Sequence, residues 1–167
     1  MSAVPANAVA GVRLERLPAV RTLEFAAFAF PPDGAFRAAW PVEPGAVSLG
    51  PDDRPTLLHF APARWLLPDP GEELLALVAA AVEAGAGTVV DVSGKWQPML
   101  MTGSAAARVL ASAVDVQAVL AGRGCAALTL FDCPLVLARA GGGFALWVRA
   151  SYATDFAAAV ERHRPSG

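Results

Sequence analysis

The chain has 167 residues, 55% of them hydrophobic and 17% charged, with a net charge of -2 at pH 7, which is enough apolar material for one domain or two small lobes around a buried core. Twelve of the thirteen basic residues are arginine and only Lys95 is lysine; their scatter leaves no basic stripe for a nucleic-acid backbone. No apolar run reaches the roughly 18 residues that span a bilayer, and the N-terminus lacks a basic segment followed by an apolar stretch, so a cytoplasmic location is expected.

Prolines and glycines break the first fifty residues and predict short strands joined by loops. Arg21-Thr22-Leu23-Glu24-Phe25 alternates polar and apolar side chains, the pattern of a half-buried strand, and Pro31-Pro32-Asp33-Gly34 is a turn signal. Extended pieces are expected at Thr56 to Phe60 and at Arg64 to Leu67. A well-punctuated helix follows, with Asp69 as N-cap, Pro70 at its first position, Glu72 three residues after the cap and Gly85 beyond its end. Its apolar face is Leu74, Leu75, Val78, Ala81 and Val82, with Glu72, Glu73 and Glu83 left to solvent or the helix start.

The β-branched run Thr88 to Val92 reads as a strand, Ser93-Gly94 as a turn, and Met99-Leu100-Met101 as the returning strand. Ser104 is the expected cap of a second helix that turns Val109, Leu110, Ala113 and Val114 inward. Cys125 to Leu130, Leu135 to Ala138 and Phe144 to Arg149 form a meander, turning at Asp132 to Pro134 and at Gly141-Gly142-Gly143. Ser151 caps a last helix with a stripe of Tyr152, Phe156, Ala159 and Val160, and Arg162 and Arg164 lie near its electronegative end. Hairpins outnumber strand-helix-strand units, so the fold class is α+β, with helices covering antiparallel or mixed sheet. The chain is read as one unit, 1–167, with lobes of about 1–85 and 86–167 and more than one crossing between them.

Candidate chemistry is sparse. Cys125 and Cys133 have neither zinc-finger nor thioredoxin spacing and read as reduced, apolar-packed thiols, with a redox pair across a hairpin as the alternative. His59 sits in an apolar strand and His163 at a helix end, without clustered acids for a metal, and no Gly-x-Ser-x-Gly elbow supports a hydrolase. Asp91 is a structural acid that bonds to the turn at Ser93, and Gly141-Gly142-Gly143 lacks the lysine and hydroxyl of a phosphate loop. Lys95-Trp96, directly after a turn, is either an anchor for a partner surface or an indole closing the core edge beneath a lysine stem. Trp65 is divided in the same way between core and interface, and these three residues, Trp65, Lys95 and Trp96, are the candidate partner contacts.

Asp91-Val92-Ser93-Gly94-Lys95-Trp96, followed by Thr102-Gly103-Ser104-Ala105-Ala106-Ala107-Arg108-Val109-Leu110, resembles the gamma subunit family of heterotetrameric sarcosine oxidase. Arg64 to Leu67, Gly124 to Leu130 and Leu146 to Ala153 agree with that family's segments in the same order, across about residues 47 to 163. The resemblance implies a reduced, two-lobed aminomethyltransferase-like folate-binding fold in a bacterial complex of alpha, beta, gamma and delta chains. That complex oxidatively demethylates sarcosine to glycine and passes the one-carbon unit to tetrahydrofolate. It further implies that FAD, FMN, NAD, tetrahydrofolate and zinc belong to the other subunits, so that this chain has no catalytic, cofactor-binding or metal residues. A homodimer of the isolated chain is also expected through surface that a partner normally covers. Folate-dependent relatives place a carboxylate on a glycine-bearing acidic turn after the strand matching Cys125 to Leu130, whereas here only Asp132 remains. Asp132 is either a turn-forming aspartate or the residue of a stand-alone folate-dependent one-carbon transfer protein.

Overall fold

The computed structural model describes residues 11–29, 40, 43–50 and 53–164. Its strands are β1 (Arg13–Arg16), β2 (Thr22–Ala27), β3 (Val47–Leu49), β4 (Pro55–Ala61), β5 (Arg64–Pro68), β6 (Gly87–Asp91), β7 (Trp96–Thr102), β8 (Cys125–Leu130), β9 (Cys133–Ala140) and β10 (Gly143–Arg149). The helices are α1 (Glu72–Glu83), α2 (Ala106–Ala111), α3 (Val116–Val119) and α4 (Ala153–Arg162), the last preceded by a 3-10 turn, Ala150–Tyr152.

The strands form two antiparallel five-stranded sheets, one ordered β1-β7-β10-β9-β8 and the other β3-β4-β5-β2-β6. The α+β class is therefore observed. The chain crosses between sheets twice, from β1 to β2 and from β6 to β7.

Side-chain alternation along the strands produces three apolar layers. Leu23, Phe25, Leu57, Trp65 and Leu67 meet Val78 and Ala81 of α1. On the opposite face of that sheet, Leu58 and Leu66 meet Val136, Ala138, Ala145 and Trp147 of the other sheet. The far face of the second sheet, including Met99, Leu137 and Leu146, is covered by Val109, Leu110, Val116, Phe156 and Val160 from α2, α3 and α4. Strands in the middle of such a stack are buried on both faces, and in β10 Phe144 to Val148 are all buried. This explains why they read as continuous apolar runs.

Several local expectations change. Thr88 to Val92 and Met99 to Met101 are not two arms of a hairpin: β6 pairs with β2, and β7 pairs with β1 and β10 in the other sheet. Asp69 does not cap α1. It has φ 46 and its N–H bonds to the Arg21 carbonyl at 2.7 Å, a left-handed turn that hands the capping position to Gly71. Gly85, at φ 69, ends the helix as read, whereas Val82 is 38% exposed rather than core.

Ser104 also lies outside its helix, because the Ala105 N–H bonds to the Gly11 carbonyl and α2 begins only at Ala106. Ala113 is exposed, and a separate short helix follows whose Asp115 side chain accepts from the Ala118 N–H at 3.1 Å. Ser151 falls in the 3-10 turn, and Tyr152 is 41% exposed, so the core stripe of α4 is Phe156, Ala159 and Val160. The β8–β9 turn is Phe131-Asp132, both at positive φ as a two-residue hairpin of the primed kind requires, and Pro134 is already paired with Thr129. The turn expected at Pro31 to Gly34 lies outside the described residues.

Candidate functional site

The crossing from β6 to β7 is tied to both sheets by hydrogen bonds. The Asp91 carboxylate accepts from the Ser93 N–H at 3.0 Å and the Ser93 hydroxyl at 2.6 Å, as its sequence context implied. These bonds hold the acid below the ordinary carboxylate range, the Ser93 side chain first and its backbone second. Ser93 Oγ in turn accepts from the Thr22 N–H at 2.9 Å, and the Val92 N–H donates to the Thr22 carbonyl at 2.8 Å. On the other side, the Ala150 N–H donates to the Lys95 carbonyl at 2.9 Å. Six residues thus lock two sheets together, which fixes where Lys95 and Trp96 stand.

Lys95 reaches back to β2, where its Nζ donates to Glu24 Oε2 at 2.8 Å; Arg64 Nη2 of β5 pairs with the other oxygen, Glu24 Oε1. Glu24 is buried with only 5% of its surface exposed, although the alternation of Arg21 to Phe25 had placed it toward solvent. Sequence reasoning missed this carboxylate, since its two partners lie 40 and 71 residues away. Lys95 Nζ also stands 5.1 Å from the centre of the Trp96 ring, and Arg149 Cζ of β10 stands 5.3 Å from it.

Of the three residues read as partner contacts, Lys95 and Trp96 are brought together and Trp65 is not. Trp96 is 8% exposed at the rim of the layer between the sheets. Trp65 is fully buried beneath α1, so in this chain it is a core residue. Its indole stacks on His59 at 4.5 Å between centroids and 13° between planes.

His59 is buried and its Nδ1–H donates to the Glu43 carbonyl at 2.9 Å. Desolvation lowers its pKa from 6.5, against an opposing pull from the backbone at Glu43 and Ala61 and the Glu43 charge. The folded chain therefore keeps this imidazole neutral where an unfolded chain takes up a proton. The stabilisation is fully present above about pH 6.5 and is lost as pH falls below it toward the folded value. Urea unfolding between pH 7.5 and 5 is expected to show a declining free energy, and His59→Gln to flatten that decline.

Cys125 lies in the layer between the sheets and Cys133 in the layer under α4, so the two thiols occupy opposite faces of one sheet and form no redox pair. Burial pushes the Cys125 thiol up to about 12 and also raises Cys133, which feels Asp155 and Asp132 as well. Neither thiol is expected to react with iodoacetamide at pH 8 until denaturant is added; alkylation of the native chain, read by mass spectrometry, would contradict this.

Clefts open on the surface formed by the described residues. One of about 450 Å³ is lined by Asp53, Ser104, Arg139 and the Gly141 to Gly143 turn, which joins β9 to β10 with Gly142 at φ 82 rather than opening a helix. Arg139 there donates to Gln117 at 3.0 Å. A second, of about 260 Å³, is lined by His59, Arg123 and Cys125. Asp132 lines neither; it is exposed at the tip of its hairpin. His163 stacks on Phe131 at 4.6 Å, and its Nδ1–H donates to the Ala159 carbonyl at 2.8 Å. Among the described residues, no three of His, Cys, Asp and Glu gather in a metal-holding group, and no helix is long and apolar enough to cross a membrane.

No protein-family model matches the sequence, and neither does any curated protein. Among solved structures, the chain is similar to a chain of the heterotetrameric sarcosine oxidase from Corynebacterium sp. U-96 in complex with pyrrole 2-carboxylate. The TM-score is 0.72 at 20% identity, over 97% of this chain and 91% of that one. That likeness is one of fold.

Proposed function

We propose that this chain is the non-catalytic gamma component of a heterotetrameric sarcosine oxidase, supporting the assembly of its large subunits in the bacterial cytoplasm. The observation that carries the reading is the extent of the likeness: 97% of this chain matches 91% of a chain of such an enzyme. The ordered segments from Arg64 to Ala153 that resemble the gamma family add to it. In this reading the two packed sheets are a reduced form of the two-lobed aminomethyltransferase-like folate-binding fold. The partners are the alpha, beta and delta chains, which hold FAD, FMN, NAD, tetrahydrofolate and zinc.

The placement of Asp132 favours a supporting role over folate chemistry. A carboxylate that moves protons for a bound pterin needs a walled site that excludes water. Asp132 instead occupies an exposed two-residue turn at φ 63. The purified chain is therefore expected to show no flavin absorbance and no rise in melting temperature with millimolar tetrahydrofolate. Saturable folate stabilisation that Asp132→Asn abolishes would favour the stand-alone one-carbon transfer protein instead.

A further inference from the structure

The second sheet does not cover the whole face of the sheet that carries β2 and β6. Leu66 of β5, Glu24 of β2 and Val90 of β6 share one face through their register, as do Arg64, Ala26 and Thr88 in the next row. At β4 and β5 this face is buried against the second sheet through Leu58 and Leu66. At β6 it is open, with Thr88 exposed and Val90 54% exposed, and Phe28, just past the end of β2, is 72% exposed. The β6 strand is also the outermost of its sheet. Above this apolar shelf stands the crossing loop, which presents Lys95 and Trp96, with Arg149 beside them.

The charge on this ledge runs against that of the molecule. Arg64 and Lys95 pair with one carboxylate, Glu24, and Arg149 lies over the Trp96 ring, in a chain whose net charge is -2. The nearby Asp91 is committed to Ser93 and lies on the other face of β6, in register with Leu23. The Glu24 side chain is 6% exposed and already shared by two cations, whereas the Arg64 side chain keeps 51% of its surface open and Arg149 is exposed. An apolar floor beside a positive wall is complementary to a polypeptide that offers apolar side chains on one edge and carboxylates on the other.

We propose that this ledge, floored by Thr88, Val90 and Phe28 and walled by Lys95, Arg149 and Arg64, receives an acidic, apolar-faced segment of a partner polypeptide in the assembled enzyme. The inference rests on the subunit reading above and adds to it which face is used and what chemistry meets it. The positive wall steers and registers the acidic segment, and Val90 supplies the dry contact. Docking there also covers the edge of β6, which pairs with no further strand among the described residues.

The test coexpresses the full chain with candidate large chains of a heterotetrameric sarcosine oxidase from the same organism and purifies the particle through a tag on a large chain. Arg149→Glu and Val90→Glu are each expected to lower retention of this chain at least tenfold, while Arg108→Glu, an exposed charge reversal on α2, leaves it within twofold. Thermal melting of each isolated variant separates lost docking from lost folding. In parallel, p-benzoylphenylalanine placed at Thr88 is expected to crosslink on illumination to a carboxylate-rich peptide of a large chain. Retention of both ledge variants at the wild-type level, or crosslinking only to a peptide without carboxylates, overturns the ledge and leaves the subunit reading standing. Failure of the wild-type chain to join any particle overturns both.

Discussion

Trp65→Ala is expected to lower the unfolding free energy by about 4 kcal/mol, within the range found for deleting a buried large aromatic. The indole is fully buried, stacks on His59 at 4.5 Å, and lies 5.6 Å from Trp40 and 5.9 Å from Phe25. Its removal takes away the transfer free energy of a tryptophan side chain from the layer under α1. It also leaves a void bounded by a backbone that β2 and β4 hold from both sides. Against a typical total of roughly 5–15 kcal/mol, that loss is a large fraction of the stability. Trp65→Phe keeps the floor of the cavity filled and is expected to cost about half as much. Denaturant titration decides the matter through a lower midpoint at unchanged slope. A loss under about 1 kcal/mol for the alanine variant would place Trp65 at a surface instead, the second role its sequence context allowed.

Glu24→Ala is expected to cost about 2–3 kcal/mol, somewhat below the loss for breaking a wholly buried ion pair. The reduction from that limit follows from the partners. Arg64 is half exposed and can turn to water, while Lys95, 29% exposed and pinned by its own backbone, is left with an uncompensated charge beside Trp96. The companion experiment removes both charges: Glu24→Leu combined with Lys95→Met is expected to return most of the lost stability, because an apolar pair needs no compensation there. Comparison of the single and double variants isolates the coupling. Equal stability of Glu24→Ala and wild type would mean that the carboxylate is hydrated in solution.

Most strands of this fold were legible, β1 and β3 excepted, and outside the β8 to β10 meander their partners were not. Thr56 to Phe60 and Arg64 to Leu67 lie within β4 and β5, and the meander from Cys125 to Arg149 is the observed β8, β9 and β10. β-branched and aromatic runs bounded by glycine and proline identify extended chain whatever it pairs with. Ser93-Gly94 has the composition of a hairpin turn, yet it carries the chain from one sheet to the other. Residues buried on both faces give no alternation to tell which sheet they join. Helix starts failed for a similar reason. Asp69, Ser104 and Ser151 have capping side chains, but the backbone at Asp69 and at Ala105 is engaged by Arg21 and Gly11, residues far off in the chain.

The candidate site was legible only where it is local. Asp91 and Ser93, two residues apart, bond as their spacing implies. The pairing of Lys95 with Trp96 follows from adjacency, and the structure shows the arrangement of the core-edge reading: the indole closes the rim of the core, and the lysine lies over it. Glu24, Arg64 and Arg149 join them only through sheet register, which a reading of separate segments does not contain.

The role proposed for this chain is that of a structural part of a larger enzyme. The most direct measurement is the yield and sarcosine turnover of the particle purified from cells expressing the large chains with and without it. With the chain present, a stoichiometric particle that forms glycine from sarcosine is expected; without it, the yield of intact particle is expected to fall at least tenfold. Particles of equal yield and equal turnover in both preparations would contradict the account.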